Sequence, residues 1–183
     1  MRYFLILFAI IILHTAGFAV CEPQTCNLHS TFNPDLIQME NMFRHEFSDT
    51  TARVAYTKVP RGLIVSIADD EIFCKNSVQI KPSGYGILNR VALVLEKFTN
   101  RCVIEVHSET NFCPNSLYKE DWEIAIPRAN RIAEYLVRCG KISPDRIFPL
   151  GYGNIMPYRE NVSRKGFCDD RVDFVIIDYE QRR

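Results

Sequence analysis

The sequence predicts an α+β fold in which a mixed β-sheet carries helices on one face. Short stretches rich in β-branched residues alternate with longer stretches whose apolar residues recur at helical spacing, and Pro or Gly residues mark the turns between them. Strands are predicted over residues 53–59, 63–68, 102–107, 147–150 and 172–177. Helices long enough to return the chain to the same sheet favour this architecture.

Three amphipathic helices accompany these strands. A short one begins at Pro34, with Leu36, Met39 and Phe43 on one face. The second has the inward residues Ile87, Leu88, Val91, Ala92, Leu95 and Phe98. The third is predicted from about Lys119 to Cys139, with Ile124, Ala129, Ile132, Ala133 and Leu136 inward. Gly140 ends it.

Length and charge limit the function classes. The 183 residues suffice for one domain with a core and an N-terminal arm. Because 22 basic residues balance 22 acidic ones, no global field attracts nucleic acid, and we expect no nucleic-acid partner. We assign residues 1–21 to a signal peptide, 22–50 to a tether with the short helix, and 51–183 to the folded domain.

The N-terminus has the pattern of an export signal. Arg2 precedes an unbroken apolar run from Tyr3 to Leu13, and small residues follow it. The run is short for a membrane span, so cleavage or lipid processing is favoured over an uncleaved anchor.

Seven cysteines in an exported chain indicate disulfides. Cys21 follows the leader in F-A-V-C, where a lipobox carries its lipidated cysteine, but Val20 replaces the usual small residue. Without Cys21 an even set remains: Cys26, Cys74, Cys102, Cys113, Cys139 and Cys168. Two alternatives stay open: lipidation of Cys21, or cleavage after Ala19 with Cys21 free or bonded to Cys26.

Four motifs between Ile104 and Val172 carry a family resemblance: I-E-V-H-S-E-T, D-W-E-I-A-I-P-R-A-N-R-I-A-E-Y-L, G-Y-G-N-I-M-P and D-D-R-V. A fifth, F-C-K-N-S-V-Q-I-K-P-S-G, begins at Phe73. Their order and spacing resemble the OmpA-like C-terminal domain of OmpA, Pal and MotB. The family patterns are V-x-G-H-T-D, L-S-x-x-R-A, G-x-G-x-x-x-P, N-R-R-V and F-x-F-N/D. The resemblance spans Leu63 to Tyr179 and implies a domain that binds peptidoglycan.

The resemblance also implies the ligand residues. In the family an aspartate and an arginine hold the ammonium and the carboxylate of diaminopimelate in the stem peptide. These positions are Glu109 and Arg128 here, with Asn76 and Arg171 as further candidates. We expect Arg128 near the start of its helix, where backbone amides and the helix dipole also favour a carboxylate.

Several positions depart from the family pattern. Glu109 is one methylene longer than aspartate, Val106 replaces a glycine, and Asp170 replaces an arginine of N-R-R-V. A negative charge near a carboxylate-bearing ligand is unfavourable. The alternative is therefore that Glu109 and Arg128 form a structural ion pair without a ligand. For His107 a structural hydrogen bond is favoured over acid–base chemistry.

The predicted fold suggests two disulfides. Cys102 and Cys139 come to the same edge of the sheet, and Cys113 and Cys168 lie in the two loops beside the pocket. No metal is expected, because Cys102, His107 and Cys113 match no zinc spacing. We expect no cofactor.

Two functions follow. The first is a non-enzymatic periplasmic protein that anchors to peptidoglycan and is attached to the outer membrane by a lipid. The alternative is a scaffold lipoprotein that has kept the fold and lost the ligand, packing against envelope proteins like the small OmpA-like lipoproteins of type IVB secretion machines (the DotK/IcmN kind). A hydrolase is disfavoured, since no nucleophile stands at a useful spacing from a base.

Overall fold

The predicted strands and helices form around one mixed sheet in the computed structural model, which describes residues 33–108, 117–154 and 170–178. The elements are α1 Pro34–Glu46, β1 Val54–Val59, β2 Gly62–Ala68, α2 Asp69–Ile72, α3 Pro82–Glu96, β3 Cys102–His107, α4 Asp121–Arg138, a 3-10 turn Pro144–Arg146, β4 Ile147–Gly153 and β5 Arg171–Ile177. Over the described ranges, no helix has the length and apolar character needed to cross a membrane.

The five strands lie in the order β1-β2-β5-β3-β4. All neighbours are antiparallel except β3 and β4, which are parallel and connected through α4. The last strand, β5, is therefore the centre of the sheet. The predicted α+β class with a mixed sheet and helices on one face is confirmed.

Side-chain alternation along the strands gives the sheet two chemically different faces. The helix-covered face is apolar: β2 contributes Leu63, Val65 and Ile67, β3 contributes Cys102, Ile104 and Val106, and β5 contributes Val172, Phe174 and Ile176. The opposite face of β3 and β5 carries Glu105, His107, Arg171 and Asp173, which are also buried. Charged groups buried on a sheet need partners close by.

Helix α1 belongs to the same core. Leu36, Met39 and Phe43 are fully buried against the helix-covered face. Asn33 caps the helix by accepting a hydrogen bond from the Asp35 amide, and its own side-chain amide donates to Asp178 after β5 at 3.2 Å. The segment that sequence analysis grouped with the tether therefore packs as part of the domain.

Helix α4 lies close over the edge strand β4. A capping box starts it: the Glu120 side chain accepts from the N3 amide, and the Glu123 side chain accepts from the Glu120 amide. A Cβ on Gly151 would lie 2.4 Å from the Ile126 amide nitrogen, so only glycine permits this approach. The G-Y-G motif at residues 151–153 forms the end of β4.

The structure corrects the predicted Cys102–Cys139 disulfide. Both thiols are free, as is that of Cys74. Cys102 is fully buried and faces the core from the first position of β3, where burial raises its thiol pKa to about 12, whereas Cys139 is exposed beyond the end of α4. The second predicted pair, Cys113 and Cys168, lies outside the described residues, as do Cys21 and Cys26.

Two glycines of α3 provide a matched test of helix packing. A Cβ on Gly84 would lie 2.4 Å from the backbone oxygen of Ile72 in α2, whereas a Cβ on Gly86 meets nothing within 4 Å. We expect Gly84→Ala to lower the free energy of unfolding by about 1–3 kcal/mol through overpacking. Gly86→Ala should raise it by roughly 0.5–1 kcal/mol through helix propensity. Urea unfolding measures both, and equal effects of the two substitutions would contradict the packing of α3 on α2.

Candidate functional site

The structure separates the predicted ligand residues. Arg128 and Asn76 come together on the helix side of the sheet, where α4 meets the loop between α2 and α3. Arg171 lies on β5 with its side chain on the opposite face, bonded to Asp173. Glu109 lies outside the described residues. Of the predicted ligand residues, only Arg128 and Asn76 therefore lie together among the described residues.

Arg128 reaches its position from the middle of α4. The helix begins at Asp121, so Arg128 stands about two turns into it. The favourable field of the helix dipole is confined to the first turn. The expectation that helix-start amides assist Arg128 is therefore wrong.

The guanidinium of Arg128 is bonded on all three nitrogens. Nε donates to the backbone oxygen of Ser77 at 2.9 Å, and Nη2 donates to that of Cys74 at 3.4 Å. Nη1 donates to Asp69 Oδ2 at 2.9 Å. The group also stacks over the Phe73 ring, 5.0 Å from its centroid, and the residue is only 6% exposed. Arg128 thus ties α4 to the loop and to the end of β2.

The loop held by Arg128 is a tight turn closed by the bridge between Phe73 and Ile80. Asn76 has a φ of 52°, in the left-handed region that asparagine tolerates better than most residues. The Cys74 amide donates to the Gln79 oxygen at 2.9 Å and so holds the turn together. The structure therefore gives Asn76 a conformational reason to be asparagine, next to its predicted contact with ligand.

Asp69 is the site residue that sequence reasoning missed. It is the first residue of α2, directly after β2, and the structure places its carboxylate against Arg128. Its other oxygen, Oδ1, is buried and has no hydrogen-bond partner among the described residues. Burial raises the pKa of Asp69 to about 6, because desolvation outweighs the opposing charge of Arg128. Arg128 therefore forms an ion pair with Asp69, whereas the predicted pair of Arg128 with Glu109 involves a residue outside the described ranges.

A second charged cluster occupies the opposite face of the sheet. Arg61, in the turn between β1 and β2, donates to both oxygens of Glu105 at 3.1 and 3.2 Å. Arg171 Nε donates to Asp173 Oδ2 at 2.9 Å. His107 lies between these pairs, with Nε2 3.4 Å from Asp173 Oδ2 and 3.9 Å from Glu105 Oε2. Each carboxylate therefore already has a guanidinium partner.

This cluster fits an ion-pair network better than a metal site. Glu105, His107 and Asp173 present their ligand atoms within 4.8 Å of one another, close enough to hold a cation. However, a cation there would also face the guanidiniums of Arg61 and Arg171, which already balance the two carboxylates. This arrangement does not support the predicted ligand role of Arg171, because its guanidinium forms an ion pair with Asp173.

The close contacts within this cluster shift the pKa values of His107 and Asp173. Burial lowers the pKa of His107, but the neighbouring carboxylates of Asp173 and Glu105 outweigh it and raise the pKa above the usual histidine value. Burial raises the pKa of Asp173, yet His107 and Arg171 bring it below 3.8. The His107 ring also stacks on Tyr152 at 5.2 Å between centroids. These contacts agree with the structural role predicted for His107.

The raised pKa of His107 predicts how stability depends on pH. Protonated His107 stabilises the fold fully below about pH 6.5, the unfolded value, and this contribution is lost as pH rises through the folded pKa. We expect His107→Gln to lower the free energy of unfolding by about 1–3 kcal/mol at pH 6 through its buried partners, and by less at pH 9. Urea unfolding of both proteins across this range measures the difference, and a difference that grows with pH would contradict the network.

Comparison with known proteins places this geometry in a family. The OmpA family model matches residues 72–168, more than half of the chain. YtxE of Bacillus subtilis, an uncharacterised protein, is 21% identical over 126 residues, covering 69% of this chain and 52% of YtxE. The chain thus spans about half the length of that relative.

Solved structures share the fold. The cell wall anchor of the type VI secretion system from Pseudomonas aeruginosa has a TM-score of 0.64 at 22% identity, covering 75% of this chain and 95% of the anchor. A putative MotB-like protein from Desulfovibrio vulgaris has a TM-score of 0.68 at 18% identity, covering 79% and 94%. The family match over residues 72–168 shows that this chain belongs to the OmpA family.

Proposed function

We propose that this chain is a non-enzymatic cell-envelope protein whose OmpA domain anchors it to peptidoglycan. The ligand is the stem peptide, and its diaminopimelate end is the part recognised. In this proposal Arg128 binds the carboxylate of diaminopimelate, and Glu109 binds its ammonium group. The fold shared with a protein described as a cell wall anchor supports this assignment.

One observation carries the proposal: the Arg128 guanidinium is held as a receptor for a carboxylate. Backbone oxygens of Ser77 and Cys74 fix its orientation through Nε and Nη2. The remaining nitrogen, Nη1, donates to a carboxylate oxygen of the protein itself, Oδ2 of Asp69, at 2.9 Å. A planar guanidinium fixed in this way recognises a carboxylate by geometry as well as by charge.

The location in the envelope follows from the leader. Export through the signal sequence at residues 1–21 brings the domain to the periplasm, where stem peptides are accessible. Lipidation of Cys21 attaches the protein to the outer membrane, so that the chain links this membrane to the cell wall.

The alternative function is a scaffold that packs against other envelope proteins without binding peptidoglycan, as in a type IVB secretion core. Two observations favour it. Arg128 already has an internal carboxylate partner in Asp69. Large apolar side chains also remain exposed along α4 and the edge strand β4: Trp122, Ile126, Phe148 and Leu150. Exposed apolar residues of this kind suit protein partners.

Sedimentation with purified sacculi tests the anchor. The wild type should sediment, and Arg128→Lys should bind roughly ten- to hundredfold more weakly, because lysine keeps the charge but loses the fixed fork. Arg131→Ala removes an exposed arginine of the same helix and is the matched control, expected to bind like the wild type. Thermal unfolding of each variant confirms that it is folded.

Competition with soluble stem peptides tests the same claim on the unmodified protein. A peptide with diaminopimelate should release the protein from sacculi, whereas the peptide with lysine, which lacks only the terminal carboxylate, should not. Equal release by both peptides, or no sedimentation of the wild type in the pH range 5.0–7.5, would favour the scaffold.

A further inference from the structure

One end of the Arg128 guanidinium, the end that carries Nη1, makes no bond to the backbone of the loop. Of its five N–H groups, the bonds to Ser77 and Cys74 use one on Nε and one on Nη2. These two fix the side that faces the loop. A ligand carboxylate must therefore approach the end that carries Nη1.

Asp69 fills that end. Its Oδ2 lies 2.9 Å from Nη1, and both side chains are buried. The backbone of Asp69 is held in place at the end of β2, where its amide donates to the backbone oxygen of Asp170 at 3.1 Å. The Asp69 carboxylate and a ligand carboxylate at the same place would repel each other.

We propose that Asp69 is a built-in competitor of the ligand, which occupies the carboxylate position of Arg128 and determines when the site can bind. This inference rests on the proposed function, because it concerns the same guanidinium. Protonation of Asp69 removes its charge and leaves the buried cation of Arg128 without a counter-charge, so a ligand carboxylate becomes the favoured partner. The site therefore opens under mildly acidic conditions and is closed by its own side chain at neutral pH.

The surroundings of Asp69 support this assignment. The charged groups that face it are Arg128 from α4, Asp170 before β5, Asp70 from α2 and Lys81 before α3. Two acidic neighbours oppose its ionisation and two cations favour it. Oδ1 of Asp69 is buried and, within the part of the chain that the structure describes, accepts no hydrogen bond. A neutral carboxyl group tolerates such burial better than a carboxylate.

Calorimetric binding of a soluble diaminopimelate tripeptide stem to the full exported chain tests the proposal between pH 5.0 and 7.5. With a pKa of about 6 for Asp69, only a small fraction of the wild type is competent at pH 7.5. Its affinity should therefore rise roughly 30-fold toward acidic pH. Asp69→Asn should bind tightly at every pH. Asp70→Asn, a change at the exposed neighbour, should keep the rise in affinity toward acidic pH, with a slightly lower midpoint because Asp69 loses one acidic neighbour.

The outcomes separate this inference from the proposed function. Weaker binding by folded Asp69→Asn, or wild-type affinity that is the same at every pH, overturns the competitor while peptidoglycan binding stands. Absence of binding by both wild type and Asp69→Asn at every pH overturns both, because Arg128 is then no carboxylate receptor. A pH dependence that persists in Asp69→Asn would assign it to another group, such as His107, and would also overturn the inference.

Discussion

The buried guanidinium of Arg128 joins three segments that are distant in sequence. It bonds the end of β2 through Asp69 and the loop of α2 and α3 through Ser77 and Cys74, while its own backbone belongs to α4. Burying a cation costs several kcal/mol unless its donors are satisfied. The loop, the helix and the strand end must therefore keep their places together, and a ligand carboxylate at Nη1 would compete with the Asp69 bond that already stabilises the fold.

The sheet keeps this group apart from a second charged network. Arg128 lies on the helix-covered side, whereas Arg61, Glu105, His107 and Arg171 are bonded on the opposite face. Strand alternation is the cause, since neighbouring residues of β3 and β5 point to opposite sides. The motifs that end β3 and begin β5 thus contribute mostly to an internal ion-pair network, and the carboxylate receptor depends on α4 and the end of β2.

Local periodicity was enough to predict the fold class and nearly all the elements. The predicted strand at residues 102–107 matches β3, and the inward residues of α1 are buried as expected. The four-residue helix α2 was not predicted, because one turn has no detectable period. Asp69 was missed for a related reason: its partner Arg128 is 59 residues away, and no local pattern reports such a contact. The predicted Cys102–Cys139 disulfide is wrong because the positions of the two residues in the fold give no direction for the side chain of Cys102, which faces the core.

A structure of the chain bound to a diaminopimelate stem peptide at pH 5 would show whether the ligand displaces Asp69 from Arg128. We expect the ligand carboxylate on Nη1 of Arg128, with Ser77 and Cys74 still bonded to the guanidinium and Asp69 no longer within hydrogen-bond distance of it. A bound peptide with the 2.9 Å contact between Asp69 and Arg128 intact would contradict this expectation.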